Sequence, residues 1–184
     1  GRFSVLSHFG LLPAALLGLD IDAMLARAEW MMKQCAADVP AARNPGLVLG
    51  AILGQAAADG RDKLTLIVDD FYWPFGAWLE QLIDESTGKD GKGIIVVDDE
   101  PMVSPDSDES YRGLDVYGDD RLFAYLRSSG KHEAAVKYLR EAGHPVLEFA
   151  IPDPQALLPE FYRWEFATMV AGHILGVNAF DQPD

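Results

Sequence analysis

The sequence has only one cysteine, Cys35, so it can form neither an internal disulfide nor a metal site built from several thiolates. A single cysteine is typical of proteins in a reducing compartment, and we expect a cytoplasmic location. No apolar run reaches the roughly 18 residues of a membrane span, and no signal peptide or lipidation motif is visible. These absences exclude disulfide scaffolds and predict that the protein has no membrane partner.

Basic residues are also scarce, since 15 Lys and Arg stand against 29 Asp and Glu and give a net charge of −14. A chain this acidic is a poor candidate for binding nucleic acid through its overall field. The content of 49% apolar and 24% charged residues excludes a mostly disordered chain. The 184 residues predict one domain, and their abrupt ends suggest a piece of a longer polypeptide.

Several strong catalytic motifs are missing as well. Gly88-Lys89 lacks the upstream glycine of a phosphate-binding Walker loop, and the glycines at 88, 91 and 93 do not match a dinucleotide-binding fingerprint. There is no G-x-S-x-G nucleophile elbow. The four histidines show no metal-ligand spacing, so we expect no metal site.

Short apolar runs alternate with helical patterns along the chain. Buried strands are predicted at 63–68, 93–97, 122–126 and 146–150. Helices are predicted at 11–18, 21–35, 45–60, 74–88, 131–142 and 154–176, with Asp20 and Asn44 as N-caps. The acidic segment 98–120 is expected to be mainly loop. This alternation predicts an α/β layer fold with a parallel sheet.

One carboxylate, Glu85, falls in the last turn of the helix predicted at 74–88. The negative end of the helix dipole disfavours the charged form of a carboxyl group there, which suits a general base working near neutral pH. Gln81 lies four residues earlier on the same edge of the helix and could orient a substrate hydroxyl. The alternative, which the local sequence favours, is a solvated helix end with Gly88 as its C-cap.

Two further charged residues have open interpretations. Arg2 could stabilise a developing oxyanion, or it could form an ordinary surface salt bridge. Glu165 lies in an otherwise apolar helix, where a carboxylate needs partners, and the simpler interpretation is a structural ion pair with Arg163 or a neighbouring helix. His173 on the same helix is interpreted as a core histidine.

Three motifs in sequence order resemble the glucose-6-phosphate isomerase family. GRFSVLS at 1–7 resembles the first signature of that family, ESTGK at 85–89 resembles its E-S-N-G-K motif, and 172–182 resembles the start of its second signature. The sequence between these motifs is more similar still to the bacterial bifunctional transaldolase/glucose-6-phosphate isomerases. That resemblance rests on residues 44–50, 117–121 and 163–168.

The resemblance implies a sugar-isomerase (SIS) domain over 1–184, a three-layer sandwich with flavodoxin-like layering around a mostly parallel sheet of about five strands. It implies the second, C-terminal domain of an isomerase that interconverts glucose 6-phosphate and fructose 6-phosphate through a cis-enediolate, without a cofactor. Glu85 is then the base that moves the proton between C2 and C1, and Arg2 stabilises the enediolate charge. Gln81 and Gln182 contact the substrate. Arg121 takes the place of the ring-opening histidine, and because arginine stays protonated we expect it to bind substrate only.

The implied partners are a sugar phosphate, a preceding SIS domain and a transaldolase domain of the same chain, and the isolated domain is expected to be inactive. The main alternative is a non-catalytic sugar-phosphate-binding module on the same fold. The combination of Glu85, Arg2 and Gln182 favours the enzyme, because a binding module has no use for a base. A third possibility is a domain kept for assembly, with the apolar helix at 45–60 and the aromatics at 71–73 as its partner surface.

Overall fold

A computed structural model describes residues 1–69, 73–101 and 116–181, with the side chain of Trp73 left out. The predicted loop at 98–120 and the aromatics at 71–73 therefore fall largely outside the described residues. The helices and strands follow one another as α1 (His8–Leu16), α2 (Ile21–Gln34), α3 (Pro45–Ala58), β1 (Lys63–Val68), α4 (Trp73–Thr87), β2 (Ile95–Val97), β3 (Arg121–Arg127), α5 (Glu133–Glu141), β4 (Val146–Ala150) and α6 (Pro154–Leu175).

Side-chain caps begin several of these helices. The Asp20 carboxylate accepts a hydrogen bond from the Ala23 amide at the start of α2, and the Asn44 side chain accepts one from Leu47 at the start of α3. Both capping predictions are confirmed, and each cap satisfies an amide that has no partner within its helix. Helix α6 continues through Pro159 and ends at Gly176, whose φ of 73° is the left-handed conformation that glycine adopts most easily.

The four strands form one parallel sheet in the order β2-β1-β3-β4. Lys63 pairs with both Ile95 and Arg121, and Phe123 pairs with Val146. The predicted α/β fold with a parallel sheet is confirmed. The resemblance implied about five strands, whereas the described residues form four. These are the same four that the apolar runs predict, because a strand buried on both faces needs a continuous run of apolar residues.

The sheet separates two hydrophobic clusters. The larger one joins side chains of α3, α4 and α6 to one face of the strands, and the smaller one joins Val136 and Leu139 of α5 to Ile67, Phe123 and Tyr125 on the other face. Helices thus cover both faces, as a parallel sheet requires. Helix α3 lies so close to α6 that a Cβ atom on Gly50 would stand 2.5 Å from the Ala167 carbonyl oxygen, so only glycine fits there.

The two edges of the sheet differ in which segments they gather. At the amino edge, the edge where the strands begin, lie the C-terminal ends of α4 and α6 and the turn at 88–93; the Val96 amide donates to Asp84 and the Lys92 ammonium to the Leu175 carbonyl. At the carboxyl edge lie Asp69 and the loop 128–130. Among the described helices, none has both the length and the apolar character needed to cross a membrane.

Candidate active site

The amino edge brings Arg2 and Glu85 together although 83 residues separate them. The Arg2 Nε atom lies 3.6 Å from Glu85 Oε2, and Arg2 Nη1 donates to the backbone carbonyl oxygens of Glu85 at 3.2 Å and Ala179 at 3.0 Å. Arg2 therefore ties the N-terminal segment to the end of α4 and to the loop after α6. Its side chain is only 11% exposed, whereas that of Glu85 is 50% exposed.

The Glu85 carboxylate has few hydrogen-bond partners for its two oxygens. Gln81 Nε2 donates to Oε1 at 3.3 Å, which is a long bond, and the Arg2 contact to Oε2 is longer still. Gln81 itself is exposed. Glu85 and Gln81 thus share one edge of α4, as their spacing predicts, and the carboxylate keeps lone pairs that face solvent and can accept a proton.

Lys89 supports the same helix end through the backbone. Its Nζ atom donates to the carbonyl oxygens of Glu85 at 2.8 Å and Ser86 at 2.7 Å, and the residue is only 8% exposed. Burial lowers the pKa of Lys89 and the charge of Arg2 lowers it further, while Asp181 and Glu85 oppose the shift. The role of Lys89 is not among the predictions from the sequence, although a lysine just beyond a helix C-terminus is a recognisable partner for the last carbonyls of that helix.

A second acidic group lies next to Glu85 on α4. Asp84 accepts a hydrogen bond from the Val96 amide at 2.8 Å. Burial raises the pKa of Asp84 to about 6, against the effect of that hydrogen bond and with a contribution from the charge of Glu80. Asp84 therefore joins α4 to β2, and its role is to hold the helix end against the sheet.

Arg121 lies apart from this cluster. It begins β3, and its side chain runs over the α5 face of the sheet, where Nη1 donates to Thr65 Oγ1 at 2.6 Å and to Glu100 Oε2 at 2.7 Å. Helix α4, which carries Glu85, packs on the opposite face. The structure thus places Arg121 in an ion pair with Glu100, and substrate binding by Arg121 stays a prediction. Gln182, the other predicted substrate contact, lies outside the described residues.

The predicted ion pair of Glu165 with Arg163 is wrong, because Arg163 Nη2 pairs instead with Glu160 Oε1 at 3.1 Å, one helical turn away. The buried Oε1 atom of Glu165 has no hydrogen-bond partner among the residues that the structure describes. Burial raises the pKa of Glu165 to about 7. The prediction of a core position for His173 is also wrong, since this residue of α6 is exposed.

Two concave regions lie near the site. A cavity of about 700 Å³ lies at the amino edge among the ends of α3 and α6 and the turn at 88–93, with Asp62, Asp84 and Lys92 among its lining residues. A smaller one of about 410 Å³ lies beside the segment 176–180. Glu85 is not among the residues that line either cavity, and its side chain is half-exposed. Within the described ranges, no group of three or more His, Cys, Asp or Glu residues is placed to hold a metal ion.

This arrangement suits the movement of a proton beside a developing negative charge. A half-exposed carboxylate can accept a proton from a bound molecule, and an adjacent guanidinium stays positively charged at all relevant pH values and can stabilise an oxyanion. The carboxylate is half-exposed and the guanidinium beside it is largely buried, so in the part of the chain that the structure describes a bound molecule would approach from the side of Glu85.

The chain is similar in sequence to parts of known enzymes. The whole chain is 28% identical to part of a glucose-6-phosphate isomerase from Parabacteroides distasonis and 32% identical to part of one from Symbiobacterium thermophilum, covering 48% of each of these proteins. No protein-family model matches the chain. The chain spans about half the length of the curated relatives it matches.

A solved structure agrees with the fold. A hypothetical protein from Thermus thermophilus superposes with a TM-score of 0.73 and 25% sequence identity, over 99% of this chain and 52% of that protein. In the sequence comparison and in the structure comparison alike, nearly the whole chain therefore matches about half of a longer protein. These similarities show what the chain resembles, which is about half of a glucose-6-phosphate isomerase.

Proposed function

We propose that residues 1–184 form one SIS-type domain, the second of a glucose-6-phosphate isomerase, and supply the proton-transfer half of its active site. Glu85 removes the proton from C2 of the open-chain aldose, which gives a cis-enediolate, and returns it to C1 of that intermediate. The hydroxyl proton of O2 passes to O1, so the product is the ketose. Arg2 stabilises the negative charge that develops on the enediolate oxygen. The observation that carries this proposal is the meeting of Arg2 and Glu85 at 3.6 Å, with Glu85 half-exposed.

The loose hold on the Glu85 carboxylate fits this reaction. A base that moves a proton between two neighbouring carbons has to reach both, so its carboxylate cannot be locked by several short hydrogen bonds. Arg2 and Gln81 touch its oxygens at 3.6 and 3.3 Å. Its backbone carbonyl, by contrast, accepts hydrogen bonds from both Arg2 and Lys89. The helix end is thus firmly held while the carboxylate can move.

A partner domain is part of the same proposal. The relatives are about twice as long as this chain, and the Glu85 side chain is half-exposed to solvent. Shortly after Arg2, helix α1 exposes a nearly continuous apolar surface: Phe9 is 84% exposed, Leu12 62%, and Leu16 and Leu17 81% each. An exposed apolar surface of this kind marks an interaction site. We infer that the other SIS domain covers α1, closes the site and binds the phosphate group of the sugar.

Gln182 and Arg121 belong to this proposal as substrate contacts, and Arg121 would have to leave Glu100 to reach a sugar. The fusion to transaldolase is inferred from the resemblance of residues 44–50, 117–121 and 163–168 to the bifunctional enzymes. A cytoplasmic location is inferred with it, since the single cysteine is unpaired and fits a reducing compartment.

The test is turnover of fructose 6-phosphate to glucose 6-phosphate by the full-length gene product, with Glu85→Gln beside the wild type. The substitution keeps the shape of the side chain and removes the base, so we expect turnover to fall by about 10²- to 10⁴-fold. Glu80→Gln is the matched control, because Glu80 is an exposed glutamate on the same helix, and it should keep wild-type turnover.

Three results would contradict parts of the proposal. A wild-type protein that binds fructose 6-phosphate in calorimetry without turning it over would favour a binding module. A Glu85→Gln variant as active as the wild type would show that another group is the base. Equal losses in Glu85→Gln and Glu80→Gln would point to damage to α4 rather than to loss of a base.

A further inference from the structure

Lys89 is the one buried lysine among the described residues, and it contacts the candidate base through the backbone. Its ammonium group donates to the carbonyl oxygens of Glu85 and Ser86 at 2.8 and 2.7 Å. These are among the last carbonyls of α4, which lack partners within the helix and carry the negative end of its dipole. A buried cation therefore neutralises the helix end from which the Glu85 side chain projects.

The backbone of Lys89 is itself firmly held. Its amide donates to the Lys92 carbonyl at 3.1 Å, and the Lys92 amide donates back to the Lys89 carbonyl at 2.9 Å. The two residues between them, Asp90 and Gly91, have φ values of 55° and 71°, as the tight two-residue turn of type I′ requires. The ammonium group thus extends from a rigid turn to the helix end.

We propose that Lys89 is a positioning residue for Glu85: its ammonium group fixes the backbone of residue 85, and with it the point from which the carboxylate reaches the substrate. This inference rests on the proposed role of Glu85 as a base. Arg2 also donates to the Glu85 carbonyl, at 3.2 Å. Two cationic donors therefore hold one carbonyl oxygen, while the carboxylate of the same residue stays free to move.

A neighbouring lysine provides a matched control. Lys92 Nζ donates to the Leu175 carbonyl at 2.8 Å, so it caps the end of α6 as Lys89 caps the end of α4. Both lysines begin from the same turn, and both bond a helix-end carbonyl. They differ in that only Lys89 bonds the residue that carries the candidate base. If Lys89 served only as a helix cap, replacing either lysine would have the same effect on turnover.

The experiment compares Lys89→Met, Lys89→Arg and Lys92→Met in the full-length gene product, with kcat and KM measured for fructose 6-phosphate. A small misplacement of a reacting group costs up to about 100-fold in rate, so we expect kcat of Lys89→Met to fall by about 10- to 100-fold with KM unchanged. Lys89→Arg should recover part of the loss, because a guanidinium can bond the same carbonyls. Lys92→Met should keep the wild-type kcat.

A second measurement keeps the inference testable without turnover. Hydrogen exchange of the backbone amides at 85–88 should be faster in Lys89→Met than in Lys92→Met, at a temperature where both variants are folded. The inference is overturned if Lys89→Met keeps the wild-type kcat, if both methionine variants lose kcat equally, or if exchange at 85–88 is unchanged. A wild-type protein without isomerase turnover would instead contradict the proposed function. Hydrogen exchange alone would then decide whether Lys89 holds the backbone of residue 85.

Discussion

Asp69 and Glu85 are carboxylates at opposite edges of the same sheet, and their surroundings differ sharply. Asp69 follows β1 at the carboxyl edge and is 1% exposed. Its Oδ2 atom accepts hydrogen bonds from the amides of Ser128, Ser129 and Gly130 and from both serine hydroxyls, and its Oδ1 atom accepts one from the Tyr125 hydroxyl. Glu85 at the amino edge is half-exposed, and the contacts that its carboxylate makes with Arg2 and Gln81 are long.

The pKa of Asp69 reflects the many hydrogen bonds that its carboxylate accepts. Burial raises the pKa of a carboxyl group, but the hydrogen bonds from Ser128, Gly130 and Ser129 outweigh that effect and bring the pKa of Asp69 below its usual value. This carboxylate is charged at neutral pH and is held in place by its donors. It is suited to holding two loops together, and it is unsuited to exchanging protons with a substrate.

The carboxyl edge is nevertheless where open α/β sheets usually bind ligands, in the crevice where the strand order reverses. In this sheet the reversal lies between β1 and β3, the strands that Asp69 and the loop 128–130 follow. Asp69 occupies the amides and hydroxyls that would otherwise receive an anionic ligand. The difference between the two edges agrees with a candidate site at the amino edge, where a half-exposed carboxylate, Glu85, lies beside the guanidinium of Arg2.

The largest expected effect concerns the amino edge. Replacing Arg2 by methionine removes the charge beside Glu85, and the loss of one oxyanion donor typically lowers kcat by about 10²- to 10³-fold. We expect that loss in isomerase turnover of the full-length gene product, measured at a temperature where the variant is folded. Arg27→Met is the control, because Arg27 is an exposed arginine of α2. Its guanidinium donates to the side chain of Gln155 and not to Glu85. Wild-type turnover in Arg2→Met would show that the amino edge does not stabilise an oxyanion.

The second prediction concerns the carboxyl edge and stability. Asp69→Ala leaves the donors of residues 128–130 without their acceptor, and we expect the free energy of unfolding at pH 7 to fall by about 3 kcal/mol. Because the pKa of Asp69 is lowered in the folded state, its stabilising effect is present above the unfolded pKa of about 3.9 and is lost as the pH falls below it. The difference between variant and wild type should therefore shrink in acid.

Urea unfolding at pH 7 and pH 3 measures this difference, with the exposed Asp38→Ala as control. If Asp69→Ala were no less stable than Asp38→Ala at pH 7, the hydrogen bonds of Asp69 would contribute nothing to the fold, and the contrast between the two edges would fail.

The smallest effect comes from a carboxylate that is buried without the partners that Asp69 has. Burial raises the pKa of Glu165 to about 7, above the value of about 4.3 for an unfolded glutamate. The folded state then holds a proton that the unfolded state has released, so this group lowers stability as the pH rises from about 4 to 7. Glu165→Gln should be more stable than the wild type by about 1 kcal/mol at pH 8 and equally stable at pH 4.

Thermal unfolding of wild type, Glu165→Gln and the exposed Glu141→Gln at these two pH values checks the prediction. A Glu165→Gln variant that gains no stability at high pH would mean that Glu165 finds a partner that offsets its burial. The same gain in Glu141→Gln would assign the effect to net charge instead.

Much of the fold could be predicted from residues close together in sequence. The four apolar runs became the four strands, with the predicted range 146–150 matching β4 to the residue, and Asp20 and Asn44 cap the helices they were expected to cap. These features depend on burial, periodicity and local hydrogen bonds, which a short segment carries by itself. The same reasoning placed Glu85 and Gln81 on one edge of α4, because four residues make about one helical turn.

Other features required the folded chain. The wrong pairing of Glu165 with Arg163 arose because neighbours in sequence point in different directions on a helix, and Arg163 reaches Glu160 at i−3 instead. The exposure of His173 depends on which side of α6 meets the rest of the fold. Arg121 shares the amino edge with Glu85 but runs over the opposite face of the sheet, and only the packing of α4 and α5 shows this.

The sequence by itself determined the class of fold, the order of its elements and the presence of a carboxylate at the end of α4. Tertiary structure decided which groups surround that carboxylate: Arg2 from the N-terminal segment, the Ala179 carbonyl from the loop after α6, and Lys89 from the adjoining turn. It also decided that the Asp69 carboxylate is fully bonded and the Glu85 carboxylate is not. The physical reason is that periodicity and capping are local, whereas the partners of a charge are set by which helix and strand ends the packed core brings to one edge.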